Sequence, residues 1–385
     1  MKALPATAGV IGGGIIGSWT ALHLAEAGVR TTLVEQFPLP HTRGSSHGLS
    51  RAFRFLGDEK LDRLAYSLDR WRALEKATGE TLFIQAGLLN FGPPGDPYLD
   101  KHMAVLRQEG RPCEWLDSAA IAARFPMLKY PDAWGAAWDP NGGILVAHRC
   151  LSAVQSRFRA LGGRLVTARV ETVASPAEAG ARIQVRSHTT GEPETLSFDR
   201  VVVCAGPWTA ALLPHLAGQL RSVRIPVTYW RDPYGRCSVA SGFPILFNAR
   251  RTGVYGLPSC EYPGLVKVLY HGGPETDPDR RDWAAVEPYI QQVSRYVQAH
   301  LPLLDHRQPA ILEPCLYTMT PDGEPILDRL AGNLVVGCGF SGSGFKHSPA
   351  TGWMLAALAL DQEAMLPEGF QAGRYKLDRF QTIRS

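Results

Sequence analysis

The chain has 385 residues, 45% of them hydrophobic and 20% charged, the proportions of an ordinary globular protein of two or three domains. Forty basic against 36 acidic residues leave a net charge of +4. No Lys/Arg block of the kind that tracks phosphates occurs, which argues against a nucleic-acid partner and suits a small anionic substrate. Seven scattered cysteines with no C-x-x-C pair exclude a disulfide framework and a zinc site, and point to a reducing, cytoplasmic setting.

In chain order, the start at Met1-Lys2 leads into an apolar run broken by three glycines, unlike a signal peptide. Residues 8–11 predict a short buried strand, and Gly12-Gly13-Gly14-Ile15-Ile16-Gly17 a tight turn. A helix through Leu22, Leu24 and Ala27 follows and stops at Gly28. Thr31–Val34 makes a second strand ending at Glu35. Gly12 permits the turn, Gly14 lets the backbone approach a pyrophosphate, and Gly17 lets helix and strand pack closely. The helix opening at Ile15 and Ile16 offers N–H groups and a partial positive charge to phosphates. Glu35 stands 23 residues after Gly12, where a carboxylate accepts from ribose hydroxyls. Strand, glycine turn, helix and acid together predict a dinucleotide site; they do not say which dinucleotide.

Further on, the pattern predicts a helix over 145–160, a strand over 164–173 that includes Val170, and a polar strand pair over 181–198. A continuous apolar strand over 199–204 runs into Ala205-Gly206, as expected of a parallel sheet covered on both faces. Residues 263–271 read as a strand with Lys267, Leu269 and His271 on one face. That face either lines a pocket or meets solvent. A last strand over 333–337 and a helix over 349–360 complete the series. The expected fold is α/β: a discontinuous Rossmann-like nucleotide-binding domain over 1–80, 141–214 and 313–385. The insertions 81–140 and 215–312 form an α+β substrate domain built on an antiparallel sheet. No apolar stretch reaches the roughly 18 residues that a membrane span needs, so no membrane partner is expected. The last residues, 383–385, are not a peroxisomal address.

Four segments carry a resemblance over essentially the whole chain. They are the Gly12–Glu35 unit; the polar loop 41–54 (His-Thr-Arg-Gly-Ser-Ser-His-Gly-Leu-Ser-Arg-Ala-Phe-Arg); Tyr255-Gly256-Leu257-Pro258 with Lys267 and His271; and Pro314-Cys315-Leu316-Tyr317-Thr318-Met319-Thr320-Pro321-Asp322 followed by the loop 339–346. This layout resembles the D-amino-acid-oxidase-type FAD oxidoreductases, and within them the group of monomeric sarcosine oxidase, N-methyltryptophan oxidase and pipecolate oxidase. The resemblance implies a monomer that uses FAD, attached through Cys315 as a thioether to the flavin 8α-methyl group. The other six cysteines keep the ordinary reading of small buried hydrophobes.

The resemblance also implies FAD contacts from Ser45, His47, Arg51, Val170, Ala205, Gly206, Gly342, Gly344, Phe345 and Lys346. It assigns Arg54 and Lys346 to the substrate carboxylate, in keeping with the fork of an arginine and the added charge of a lysine. It assigns Lys267 to oxygen activation, where a fixed cation stabilises developing negative charge, and Tyr255, Tyr317 and His271 to the substrate pocket. Plainer alternatives stay open. Arg54 and Lys346 equally suit ion pairs with nearby acids, His47 a structural role along the pyrophosphate, and the two tyrosines ordinary packing. Ser343 stands where sarcosine oxidase carries a histidine, which implies a wider or differently polar pocket.

The implied activity is oxidation of a secondary α-amino acid at its C–N bond, with oxygen reduced to hydrogen peroxide. The competing activities are a dehydrogenase with another acceptor, a biosynthetic enzyme that desaturates a ring, and a non-enzymatic FAD-binding protein.

Overall fold

The computed structural model describes residues 4–175, 180–280 and 285–380; the first two residues and the C-terminal tripeptide read above lie outside them. The N-terminal unit forms as its pattern requires. β1 (Thr7–Ile11) leads through the glycine turn into α1 (Ile15–Glu26), and β2 (Arg30–Glu35) returns parallel to β1. Helix α1 is apolar on all sides and buried from Ile15 to Leu24, because it lies between the sheet and the C-terminal helix Gly344–Ala359. A helix apolar all round must be covered on all sides.

This sheet has eight strands. From one edge they are Pro193–Phe198, Ala181–Ser187, Arg164–Ala174, β2, β1, Arg200–Val203, Leu334–Cys338 and Ile326–Arg329. The five from Arg164–Ala174 to Leu334–Cys338 are parallel, which explains why Val201, Val202 and Val203 are all fully buried.

A second eight-stranded sheet runs Ile311–Met319, Arg221–Arg231, Leu265–Tyr270, Val254–Leu257, Ile245–Asn248, Leu88–Gly92, Gly135–Asp139, Glu114–Leu116. All its pairings are antiparallel except that of Ile245–Asn248 with Leu88–Gly92. It is assembled from two separate stretches of chain, as the insertions suggest. A three-stranded antiparallel sheet joins β3 (Ser50–Phe53), Gly143–Val146 and Phe83–Gln85. No described helix is long and apolar enough to cross a membrane.

Three boundaries differ from the sequence reading. Residues 145–146 end a strand, and the helix starts at Ala147; a short apolar run does not distinguish the two by periodicity. The strand with Cys315 pairs along its length with Arg221–Arg231, so the expected domain boundary at 312/313 falls inside a strand of the second sheet. The last helix begins at Gly344, not at Pro349. Pro349 cannot donate to the carbonyl of Phe345, and Ser348 Oγ donates to that oxygen at 2.7 Å instead. That substitute donor lets the proline sit inside the helix.

Candidate active site

A cavity of about 1090 Å³ runs from the carboxyl ends of the parallel strands to the second sheet, large beside the roughly 300–1,000 Å³ of ordinary ligand pockets. One end is the glycine turn. Gly12 has φ +104°, and a Cβ there would lie 2.3 Å from the Cys204 carbonyl oxygen. A Cβ on Gly17 would lie 2.0 Å from the Gly12 carbonyl oxygen. Helix and turn touch backbone to backbone. Ser46 Oγ accepts from Ile15 N–H at 2.9 Å and Gln155 Nε2 donates to Gly13 O at 2.9 Å, and both residues line the cavity. Glu35 is buried there: its carboxylate accepts from Gly13 N–H at 2.7 Å and Phe37 N–H at 2.9 Å.

Most of the expected cofactor residues meet along this cavity. Gly12, Gly14, Ile15, Ile16, Glu35, Ser45, His47, Arg51, Val170, Ala205, Gly206, Gly342, Gly344 and Phe345 all line it. Gly17 lies behind the turn. A dinucleotide fits these residues. The α1 N-terminus opens into the cavity, a buried acid stands at the end of β2, and the space continues far beyond the turn toward Tyr317.

At the inner end a second, small cavity is lined by His47, Ser50, Arg51, Tyr255, Lys267, Leu269, Glu313, Cys315 and Tyr317. Glu313, Cys315 and Tyr317 alternate along one strand and therefore share a face. The Arg51 guanidinium donates to the carbonyls of Ser50 (2.7 Å), Ser45 (2.9 Å) and His47 (2.6 Å) and comes within 4.0 Å of Cys315 Sγ. Three carbonyls fix it in place, and the sulfur faces a permanent positive charge.

Lys267 is buried, its Nζ 3.2 Å from both Ser50 O and Ser50 Oγ and 3.5 Å from Glu261 Oε1. Burial pushes its pKa down, against the attraction of Glu261. The strand face predicted to carry Lys267 and Leu269 thus meets a cavity. His271 lies just past the strand, 5.3 Å ring to ring from Tyr317 and 6.0 Å from Tyr255, and burial, with Arg54, lowers its pKa. The hydroxyls of Tyr255 and Tyr317 are 3.2 Å apart, and burial raises both pKa values. All three rings are therefore neutral near neutral pH.

Neither of the two expected carboxylate anchors, Arg54 and Lys346, lines either cavity. Arg54 donates to Leu56 O at 2.5 Å and stacks 4.2 Å from the Phe247 ring. Lys346 departs from the expectation. Its Nζ is 2.5 Å from Asp58 Oδ2 and 2.9 Å from His347 Nε2, and it lines neither cavity. The small and apolar sequence around Lys346 concealed an acid brought from far along the chain, and the plain ion pair is what forms. Sequence reasoning also missed Ser46, Gln155, Asp58, Glu261 and Glu313. The i, i+2, i+4 alternation of Glu313 with Cys315 and Tyr317 was a usable signal for the last.

The chain matches the sequence model of the FAD dependent oxidoreductase family (DAO) over residues 8–358. It is 36% identical to the peroxisomal sarcosine oxidase of Mus musculus, over 97% of this chain and 96% of that one. With the N-methyl-L-tryptophan oxidase of Yersinia pestis (strain Pestoides F) it shares 29% identity over 96% of this chain and 98% of that protein. The solved structure of L-proline dehydrogenase from P. horikoshii superimposes with a TM-score of 0.80 at 20% identity, covering 99% of each chain; at that identity the likeness speaks to the fold alone. Two packed sheets, a glycine turn that opens into a cavity of dinucleotide size and a match along nine-tenths of the sequence agree: the chain belongs to the FAD dependent oxidoreductase family.

Proposed function

We propose that this oxidoreductase acts on a small secondary α-amino acid, such as sarcosine, another N-methyl amino acid or a cyclic imino acid, and passes the electrons to oxygen with release of hydrogen peroxide. FAD, when bound, supplies the redox chemistry at the C–N bond. The observation that carries the reading is the inner end of the cavity. There the half-buried Arg51 guanidinium and the buried Lys267 side chain stand beside Cys315, and Tyr255, Tyr317 and His271 stand close by.

The protein's own part is to orient and to exclude water. Arg54 offers a guanidinium fork near His271 for the substrate carboxylate. Glu313, the carboxylate that lines the inner cavity, is engaged by the Tyr229 and Tyr262 hydroxyls, so the substrate reacts as the free base, favoured by the surrounding positive charge. Lys267 supplies a fixed cation where reduced oxygen develops negative charge. The similarity to a sarcosine oxidase and an N-methyl-L-tryptophan oxidase supports the substrate class.

The reading includes a thioether between FAD and Cys315. After acid precipitation, yellow flavin is expected to stay with the protein, and Cys315→Ala to release it into the supernatant. Free flavin from the unaltered protein removes the covalent link from the proposal. Sarcosine, N-methyl amino acids, pipecolate and proline are then tried without air for bleaching of the flavin, and in air for peroxide. If none bleaches it, the substrate class is wrong; bleaching without peroxide moves the electrons to another acceptor.

A further inference from the structure

Behind Lys267 the structure holds a cluster of two carboxylates and two phenols, of which Tyr229 is buried and Glu313 and Tyr262 are half-buried. The Lys267 and Glu261 side chains are 7% and 5% exposed, with Nζ 3.5 Å from Oε1. The other Glu261 oxygen accepts from Tyr229 OH at 2.5 Å. Tyr229 OH also lies 3.3 Å from Glu313 Oε2, and Glu313 Oε1 accepts from Tyr262 OH at 2.5 Å. The groups come from separate elements. Tyr229 is on the strand Arg221–Arg231, Glu313 on Ile311–Met319, and Glu261 and Tyr262 in the turn before Leu265–Tyr270, which carries Lys267. From β3, Ser50 and Arg51 face the same lysine, and Cys315 faces it from the strand of Glu313.

A lysine with this much burial loses its proton readily unless a carboxylate compensates. Its neighbour Arg51 adds repulsion, and Glu261 is the largest opposing influence. We propose that Glu261 is the positioning residue of the site: it holds the Lys267 ammonium against Ser50 and keeps it charged, so that Glu261 decides whether the cavity presents a second cation, beside Arg51, to the flavin. Tyr229 fixes the carboxylate by occupying the oxygen turned away from the lysine, and Glu313 shares that phenol. This rests on the reading that Lys267 faces the flavin.

The test follows the midpoint potential of the FAD-loaded protein against pH. A proton held near the flavin puts a break in that plot at the pH where it is lost. Lys267→Met is expected to abolish one break. Glu261→Gln is expected to move that same break to lower pH by about one to three units, the usual effect of an opposite charge at this distance. Glu261→Asp, which keeps the charge, should restore it to within about one unit and covers the case in which the Gln variant holds no FAD. In the Lys267→Met background, Glu261→Gln should change nothing further.

If the break is lost in Lys267→Met but stays in place in Glu261→Gln and Glu261→Asp, Glu261 does not set the charge and the proposal is overturned. A shift that persists without Lys267 also overturns it, because Glu261 then acts by another route. If Lys267→Met keeps every break, the placement of Lys267 in the proposed function fails first, and this inference with it.

Discussion

Gly17→Ala is expected to give a protein that purifies without its yellow cofactor and unfolds well below the parent. The added methyl would lie 2.0 Å from Gly12 O and 3.3 Å from the Cys204 side chain. Neither neighbour has room to retreat. Gly12 is held at φ +104° with the Cys204 carbonyl filling the place of its own side chain, and its N–H donates to Val34 O at 2.8 Å. Helix α1 is buried from Ile15 to Leu24 and cannot slide outward. Overpacking against side chains commonly costs about 1–3 kcal/mol; with a backbone carbonyl as the nearest contact the upper end applies. The displaced helix start also loses its aim at the phosphates. A cofactor present at about a thousand times its dissociation constant contributes a further ~4 kcal/mol of stability that the variant forfeits. Flavin absorbance after purification and thermal unfolding with and without added FAD measure both effects. Full flavin content with an unshifted midpoint would remove the backbone contact from the account of the site.

That turn was legible because all its determinants lie within 35 residues: a strand, three glycines with separate duties, a helix of matching period, and an acid at the right distance. The inner end of the cavity was legible only in part. Cys315, Arg51 and Lys267 were reached through resemblance, and the structure puts them around one small cavity. The carboxylates that balance the cations were not reached. Asp and Glu are common, and nothing in the spacing of Asp58 and Lys346, 288 residues apart, marks them as partners. Pro349 misled in the opposite direction. A proline is a sound sign of a helix start, but a serine hydroxyl one residue earlier supplied the missing donor. Which buried charge meets which is decided by topology, and the two sheets had to be in hand before it could be read.

Asp58→Asn is expected to destabilise the protein by about 3–5 kcal/mol in mild acid, the usual cost of removing one partner from a buried ion pair. Asp58 Oδ2 takes Lys346 Nζ at 2.5 Å and His347 Nε2 at 3.0 Å, with the three side chains no more than 10% exposed. Burial alone would push the Asp58 carboxyl up; Lys346, His347 and Arg54 outweigh it and hold it well below the usual carboxylate range. A depressed carboxylate stabilises the fold above its unfolded value of about 3.9 and loses that contribution as pH falls below it. His347 is pushed down by burial and by Lys346 to about 4. Between there and its unfolded value of roughly 6.5 the unfolded chain binds the extra proton, so stability falls in the same direction on acidification, by on the order of 3 kcal/mol. Lys346 is pushed down to about 8 by burial, against the pull of Asp58. Without Asp58 it falls further, and the variant sheds its buried charge as the solution is made alkaline. The deficit of Asp58→Asn is therefore greatest in mild acid, above the unfolded carboxylate value of about 3.9 and where both proteins still hold the Lys346 charge. It shrinks as pH rises through the variant's lowered Lys346 value, levels off above about 8 where the parent's Lys346 is neutral too, and narrows again in stronger acid as the parent loses its own Asp58 contribution. Denaturant unfolding of the two proteins at strongly acid, mildly acid and alkaline pH measures all three regions. A deficit that stays flat with pH would mean the asparagine disturbs packing alone, and no deficit in mild acid would mean that Asp58 does not hold Lys346.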